Sequence, residues 1–156
     1  HVFYRVGMFE RFDEFFDHVF RVFEDHRSWR LFPETVPTLT RLKARDLELG
    51  IISNFDSRLF SVLRGLGIAE AFDTVTISSL AQAAKPASQI FHLALEKHAV
   101  DPEEALHIGD SLRDDVEGSR KAGLHTLLLD RDGRQQSLGV RTIKSLEELF
   151  PLLDQL

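Results

Sequence analysis

The sequence predicts an α/β fold built around an open parallel sheet, and two patterns support this. Short apolar runs rich in β-branched residues alternate with amphipathic segments of about 10 to 15 residues, which is typical of βαβ units with right-handed crossovers. The apolar runs also end in polar residues, as expected where parallel strands present their carboxyl ends to a ligand. The stretch 106–123, LHIGDSLRDDVEGSRKAG, is the clearest example.

Composition and charge argue against several classes of protein. The 156 residues are 43% hydrophobic, enough for one domain with a sizeable core. The 19 basic and 25 acidic residues are scattered and leave a formal charge of −6, so we expect no nucleic-acid partner. We also expect no membrane partner, because no apolar run approaches the roughly 20 residues of a spanning helix. The absence of cysteine excludes disulfides and thiol nucleophiles and favours a cytoplasmic location.

The amino-terminal part is predicted to be helical and aromatic. Between Phe9 and Asp25, phenylalanines recur every three or four residues with charged residues between them. We expect this helix to pack on a partner helix or to cover a site, while core packing is the simpler explanation for any single phenylalanine. The opening residues, HVFYRVGMFERF, include neither an initiator methionine nor a signal-peptide pattern, so we expect that the chain does not begin at a true N-terminus.

The remaining elements are predicted in alternation. Pro33 and Pro37 mark a hinge or a helix start. The predicted strands cover residues 47–53, 72–79, 106–108, 124–130 and, as a small edge strand, 142–143. The predicted helices begin near Val36, Ser57, Pro86 (as the first helical residue), Ser111 and Ser145.

Residues 106–123 predict a strand that opens into a helix, with a metal-binding carboxylate between them. Gly109 permits a tight turn, Asp110 follows at the carboxyl edge of the sheet, and Ser111 begins a capping-box-like S-x-x-D. Asp115 shares the inward face of the helix with apolar residues, so it needs a cation or donors beside it. Carboxylate oxygens suit Mg²⁺ completed by water and phosphate. We therefore predict Asp110 as a direct ligand and Asp115 as a supporting one.

Three polar strand ends are expected to meet at one edge of the sheet. Ser53 and Asn54 follow one strand, Lys85 lies in the loop after the next, and Asp110 follows a third. A hydroxyl and an amide can donate to phosphate oxygens, and an ammonium can neutralise them while a carboxylate holds the cation. Asp114 is expected only to interact with the positive end of the helix dipole.

The ordered set I-I-S-N, K-P-x-x-x-I-F and H-I-G-D-S-x-x-D-D-x-x-G-S-R-x-A-G resembles motifs II, III and IV of the haloacid dehalogenase (HAD) superfamily of hydrolases, subfamily I. The resemblance implies a Rossmann-like core over residues 37–156 and a partial helical cap over residues 1–36. It also implies a Mg²⁺-dependent phosphohydrolase acting on a small phosphorylated metabolite. The acid-rich last motif favours this metal-assisted reaction over dehalogenation.

The resemblance also assigns roles to individual residues. Ser53 and Lys85 would be catalytic and would bind the substrate together with Asn54. Asp110 and Asp115 would hold Mg²⁺.

The first motif of the family, hhhhDxDG[TV], is not found before the cap-like helix. We therefore expect an N-terminally incomplete chain that lacks its aspartate nucleophile and is inactive alone. The strand order of the family puts the missing strand between the strand that ends at Ser53 and the strand that leads to Asp110. We expect a gap there, with unpaired backbone groups on both sides.

Alternatives remain open at this stage, and the sequence does not predict the oligomeric state. Residues 127–133, LLLDRDG, match the first motif apart from Arg134 after it, so a circular permutant could carry its nucleophile there. A polar turn containing Asp130 and Asp132, with Gly133 at positive φ, is the favoured interpretation. A catalytically inactive module could keep the pocket to bind phosphate, Mg²⁺ or a partner. A flavodoxin-like or receiver-like fold could imitate the polar strand ends.

Overall fold

The computed structural model describes residues 11–135 and 139–154. The predicted start of the first helix at Phe9, and with it residues 1–10 of the predicted cap segment, lies outside the described residues. The predicted boundary between residues 36 and 37 falls inside the second helix, which covers Thr35–Lys43.

From the second helix onward, most strands are followed by a helix. The strands are β1 (Gly50–Ser53), β2 (Thr74–Ile77), β3 (Leu106–Gly109), β4 (His125–Leu129) and β5 (Thr142–Ile143). The α-helices are α1 (Phe12–Glu24), α2 (Thr35–Lys43), α3 (Arg58–Gly65), α4 (Ser78–Ala81), α5 (Ser88–His98), α6 (Gly118–Lys121) and α7 (Leu149–Leu153). A π-helix (Leu112–Glu117) leads directly into α6. Short 3₁₀ turns cover His26–Ser28, Ala69–Ala71, Pro102–Glu104 and Leu146–Glu148.

Most predicted elements are present, with two local corrections. Ser78 begins α4 immediately after β2, so the second strand ends two residues earlier than predicted. Pro86 is not the first helical residue of α5, because Ala87 is extended at the N-cap and the helix begins at Ser88. The helix thus starts after the loop that presents Lys85, and Pro86 belongs to that loop.

The parallel strands form two separate sheets. In one, β1 pairs with β2, and Ser53 lies opposite Ile77. In the other, β4 pairs with β3 on one side and β5 on the other, also in parallel. Among the described residues β1 and β3 do not pair, and a cavity of about 980 Å³ lies between them. The predicted α/β fold is confirmed, and the gap lies where the resemblance implied a missing strand.

Two clusters of buried side chains hold the two sheets side by side. Leu49, directly before β1, packs on a cluster from α2, β4, β5 and α7 that comprises Leu42, Leu127, Ile143, Leu149 and Phe150. Ile52 of β1 packs on a second cluster from α5 and the segment after α6, comprising Ile90, Phe91, Leu95, Ala122 and Leu124. Both clusters therefore join the β1 side to the β3 side, which brings the carboxyl ends of the strands to one edge.

Helix α1 stands apart from this core and has no buried residue. Phe12, Phe16 and Phe20 follow one another along it, with ring centroids 6.1 and 6.2 Å apart. The predicted aromatic face is thus present, and the helix contacts α3. Within the described parts of the chain, none of the helices combines the length and the apolar character needed to cross a membrane.

Candidate active site

A buried ion pair lies at the centre of the candidate site. Lys85 Nζ lies 2.6 Å from Asp115 Oδ1, and the two side chains are only 14% and 5% exposed. His107 Nε2 lies 3.0 Å from the same oxygen, and the Ser111 amide donates to Asp115 Oδ2 at 3.0 Å. An ionised carboxylate only accepts hydrogen bonds, so Nε2 of His107 carries a proton. These partners offset the cost of burying the charge.

The environment of Asp115 keeps it ionised. Burial by itself would raise its pKa, but hydrogen bonds from His107, Lys85 and the Ser111 amide outweigh burial and hold the pKa well below the ordinary value of 3.8. Lys85 therefore faces a full negative charge at neutral pH.

The local backbone explains how Asp115 reaches this position. A Cβ atom at Gly109 would lie 2.1 Å from Cγ of Asp115, so the carboxylate occupies space that only glycine leaves free. In the π-helix, the amides of Asp115 and Val116 both donate to the Ser111 carbonyl, at 3.0 and 3.1 Å. The Ser111 hydroxyl accepts from the Asp114 amide at 3.0 Å, as the capping pattern predicts.

Asn54 joins the end of β1 to the loop that carries the lysine. Its Nδ2 donates to the Lys85 carbonyl at 2.9 Å, and the Lys85 amide donates back to Asn54 Oδ1 at 2.7 Å. This reciprocal pair orients the backbone from which the Lys85 side chain extends. The role of Asn54 as a phosphate ligand stays a prediction, because its side chain in the structure is hydrogen-bonded to the backbone of Lys85.

The three strand ends are linked by direct contacts, as the sequence led us to expect. Asn54, next to Ser53, contacts Lys85; Lys85 contacts Asp115; and Asp115 contacts the amide of Ser111, next to Asp110. Because Ser53 ends β1 and Asp110 follows β3, both residues lie at the edge where this series of contacts runs.

Asp110 and Asp115 differ sharply in their surroundings. Asp110 is exposed, and its carboxylate makes no hydrogen bond or ion pair with any residue that the structure describes; its backbone carbonyl accepts from Gln135 Nε2 at 2.7 Å. Mg²⁺ commonly keeps several waters and takes one or two carboxylates plus phosphate oxygens, so Asp110 fits this ion. Asp115 is instead occupied by Lys85 and His107. Both roles as metal ligands stay predictions.

The described residues do not complete a metal site on their own. Within 11–135 and 139–154, no group of three His, Asp or Glu side chains is placed to hold a metal ion. A magnesium ion at Asp110 would therefore need water, substrate or further protein oxygens.

The contacts of Asp130 argue against the circular permutant. Its side chain is buried, and its two oxygens accept from the backbone amides of Arg134 and Gln135 at 3.1 and 2.8 Å. Gly133 has a φ of 66°. These are the contacts of a carboxylate that closes a turn after β4, which is the polar-turn interpretation.

The predicted site did not include His107. Its ring packs against the Phe91 ring in a T-shaped arrangement, with centroids 5.1 Å apart and planes at 89°, which fixes the imidazole beside Asp115. A signal was present in the sequence, because His107 interrupts the apolar residues Leu106 and Ile108 of a strand. The position of a single histidine does not reveal its partner.

Most of the chain matches the model of one known protein family. Residues 6–123 match the family model described as haloacid dehalogenase-like hydrolase. The chain belongs to this HAD hydrolase family. The family predicted from the motifs is confirmed, and the flavodoxin-like or receiver-like alternative is wrong.

Individual HAD proteins support the same relationship. The mouse protein named haloacid dehalogenase-like hydrolase domain-containing protein 3 is 36% identical over 146 residues, which are 90% of this chain and 58% of that protein. A HAD phosphatase from Thermococcus onnurineus superposes with a TM-score of 0.82 at 28% identity, covering 91% of this chain and 68% of that one. YfnB from Bacillus subtilis, in a crystal structure bound to magnesium, superposes with a TM-score of 0.80 at 26% identity, covering 94% and 65%.

The chain spans little more than half the length of the curated proteins from mouse, cattle and human that carry the name haloacid dehalogenase-like hydrolase domain-containing protein 3.

Proposed function

We propose that this chain forms the α/β core and part of the cap of a Mg²⁺-dependent phosphohydrolase acting on a small phosphorylated metabolite. The observation that carries the proposal is the buried Lys85–Asp115 ion pair, placed between the strand ends of Ser53 and Asp110. A lysine ammonium at the edge of the sheet where a serine hydroxyl and an exposed carboxylate also lie suits a phosphoryl group with its cation. Similar solved structures include both a HAD phosphatase and a 2-haloacid dehalogenase, at 28% and 30% identity, so the preference for phosphoryl transfer over dehalogenation rests on the acid-rich last motif.

Each residue has a physical role in this proposal. The Ser53 hydroxyl donates to a phosphoryl oxygen, and the Lys85 ammonium offsets the negative charge of the transferring group. Asp115 acts through Lys85, because the ion pair fixes the position of the ammonium. Asp110 would hold Mg²⁺, which when bound stabilises the charge on the phosphoryl oxygens.

We further propose that the nucleophilic aspartate is carried by a strand between β1 and β3. The facing edges of these two strands do not pair with each other, and the cavity of about 980 Å³ between them is lined by Gly50 and Ile52 on one side and by Leu106 and Ile108 on the other. A parallel strand in this cavity would satisfy the backbone groups of both edges. Residues 1–156 alone would then lack the nucleophile.

The experiment compares the complete protein with residues 1–156, using hydrolysis of p-nitrophenyl phosphate with Mg²⁺ or with EDTA. We expect turnover only from the complete protein, and we expect EDTA to abolish it. Asp110→Ala should reduce kcat roughly 100-fold or more, because the cation loses its protein ligand. Asp114→Asn is the matched control, because the neighbouring Asp114 is expected only to interact with the helix dipole, and it should retain activity.

Two outcomes would contradict parts of the proposal. Turnover by residues 1–156 that disappears in Asp130→Asn would identify a permutant. A complete protein that binds phosphate and Mg²⁺ in calorimetry but hydrolyses nothing would support the alternative, a catalytically inactive binding or interaction module. The proposal involves no nucleic-acid or membrane partner, and the cytoplasmic location remains a prediction from composition.

A further inference from the structure

Arg58 joins helix α1 to the loop that follows β1. It is the first residue of α3, and its side chain is 16% exposed. Its Nη1 donates to the Phe20 carbonyl at 2.8 Å, and its guanidinium lies 3.6 Å above the centroid of the Phe20 ring. A single side chain thus binds both the backbone and the aromatic face of α1, combining a hydrogen bond with a cation–π contact.

Asp56 fixes the orientation of this guanidinium. Arg58 Nε and Nη2 donate to the two oxygens of Asp56 at 2.8 and 2.6 Å, and the Arg58 amide donates to Oδ1 at 3.0 Å. The side-chain hydrogen bonds from Arg58 lower the pKa of Asp56, so the pair stays ionised at neutral pH. A lysine ammonium is a point charge and cannot reproduce both the planar fork and the stacking on Phe20.

Aromatic side chains extend the contact from the loop to the segment after α1. The Phe55 ring lies 6.5 Å from Phe23 and 5.9 Å from Trp29, and the indole N–H of Trp29 donates to the Phe23 carbonyl at 3.1 Å. Trp29 is the single tryptophan of the chain. Its fluorescence therefore reports directly on whether α1 is docked.

A second contact lies at the other end of α3. A Cβ atom at Gly65 would lie 2.3 Å from Cγ of His26, so the 3₁₀ turn after α1 rests directly against the backbone of α3. Arg58 and Gly65 are the first and last residues of this helix. The helical segment is thus docked at both ends of α3.

The loop 53–58 is itself held to the core. Ser53 ends β1, Asn54 is hydrogen-bonded to Lys85, and the Phe55 carbonyl accepts from the Ser78 hydroxyl at 3.1 Å. The residues that contact α1 therefore follow, without interruption, the residues at the candidate phosphate site. A shift of α1 would be transmitted to this loop.

We propose that Arg58 is a positioning residue that docks the cap helix α1 on the loop 53–58 and so couples the position of the cap to Ser53 and Asn54. The docking itself is independent of the reaction, whereas its effect on turnover rests on the proposed phosphohydrolase function. Arg58 touches no reacting atom, and its effect is on substrate affinity more than on the chemical step.

The first test uses Arg58→Lys and the fluorescence of Trp29. We expect the emission maximum to move to longer wavelength, and amide hydrogen exchange in α1 to become roughly 10-fold faster, because charge-assisted hydrogen bonds to α1 and Asp56 are lost. Amides of β1 and β2 should keep their protection. Arg64→Lys, at an exposed position of the same helix, is the matched control and should leave the spectrum unchanged.

Gly65→Ala provides a second variant that perturbs the docking without removing a charge. The new methyl group would displace His26, and we expect the same direction of change in Trp29 emission and in α1 exchange. If neither Arg58→Lys nor Gly65→Ala changes these two readouts, the proposal is overturned, whether or not the protein hydrolyses phosphate esters.

The kinetic test uses the complete protein. Arg58→Lys should raise KM roughly 10-fold while kcat changes by less than about 3-fold, in contrast to Asp110→Ala, which lowers kcat. An equal fall in kcat and kcat/KM would overturn the positioning role. Docking readouts that change as expected in a complete protein without hydrolysis would contradict only the phosphohydrolase function.

Discussion

Replacing Asp115 with asparagine tests whether its carboxylate holds the candidate site together. The change keeps the shape of the side chain but leaves the Lys85 ammonium, now 2.6 Å from a carboxylate oxygen, without its counter-charge. An asparagine side chain carries one acceptor oxygen and one NH₂ group. Whichever way it turns, the NH₂ group faces a donor, either the Ser111 amide or the Lys85 and His107 groups.

The expected loss of stability follows from the burial of the pair. Removing one partner of a buried ion pair costs about 3–5 kcal/mol, because the remaining charge stays desolvated and unpaired. Lys85 is 14% exposed and keeps limited access to water, so we expect the lower end, about 3 kcal/mol. This is a large part of the roughly 5–15 kcal/mol by which domains of this kind are stable.

Urea unfolding of residues 1–156, followed by circular dichroism, measures this loss. Asp115→Asn should lower the midpoint without changing the slope. Glu117→Gln is the control, because this carboxylate lies in the same π-helix but is 60% exposed, and it should change the free energy of unfolding by less than about 0.5 kcal/mol. The double variant Asp115→Asn with Lys85→Met should lose less unfolding free energy than the sum of the losses in the two single variants. A loss below about 0.5 kcal/mol for Asp115→Asn would refute the reasoning.

Two further predictions concern the same carboxylate. Because the folded pKa of Asp115 lies below its ordinary value of 3.8, its stabilisation is fully present above about pH 5 and is lost as the pH falls toward the folded pKa. The difference in unfolding free energy between the parent and Asp115→Asn should therefore be roughly 1 kcal/mol smaller at pH 3 than at pH 7, and an equal difference at both pH values would contradict this. Gly109→Ala puts a methyl group 2.1 Å from Cγ of Asp115 and should cost about 3 kcal/mol in urea unfolding. Gly67→Ala, where φ is 70° but no atom lies within 4 Å, should cost only about 1 kcal/mol, and equal losses would show that Asp115 is not displaced.

Local patterns in the sequence predicted much of the fold. The order of strands and helices followed from the spacing of apolar residues, and the Ser111 cap followed from its S-x-x-D pattern. The inward position of Asp115 also followed from helical spacing, and the structure confirms that it is buried. These features depend on residues within a few positions of one another, where backbone geometry determines which side chains share a face.

Other features required the packed structure. The sequence predicted Pro86 as a first helical residue. In the structure, the loop that is hydrogen-bonded to Asn54 at Lys85 continues through Pro86, and α5 begins at Ser88. The π-helix after Ser111 was not predicted either. It contains Asp115, whose partner Lys85 lies 30 positions away in the sequence.

The sequence by itself determined which residue types stand at the strand ends: a serine, a lysine and an aspartate, each at its own βα junction. Only the tertiary structure decided how they are partnered. Lys85 and Asp115 are separated by 30 positions, and Arg58 and Phe20 by 38, so their contacts depend on how separate strands and helices are set side by side. Long-range packing therefore decided that Asp115 forms an ion pair with Lys85, that the Asp110 carboxylate stays exposed, and that α1 contacts Arg58.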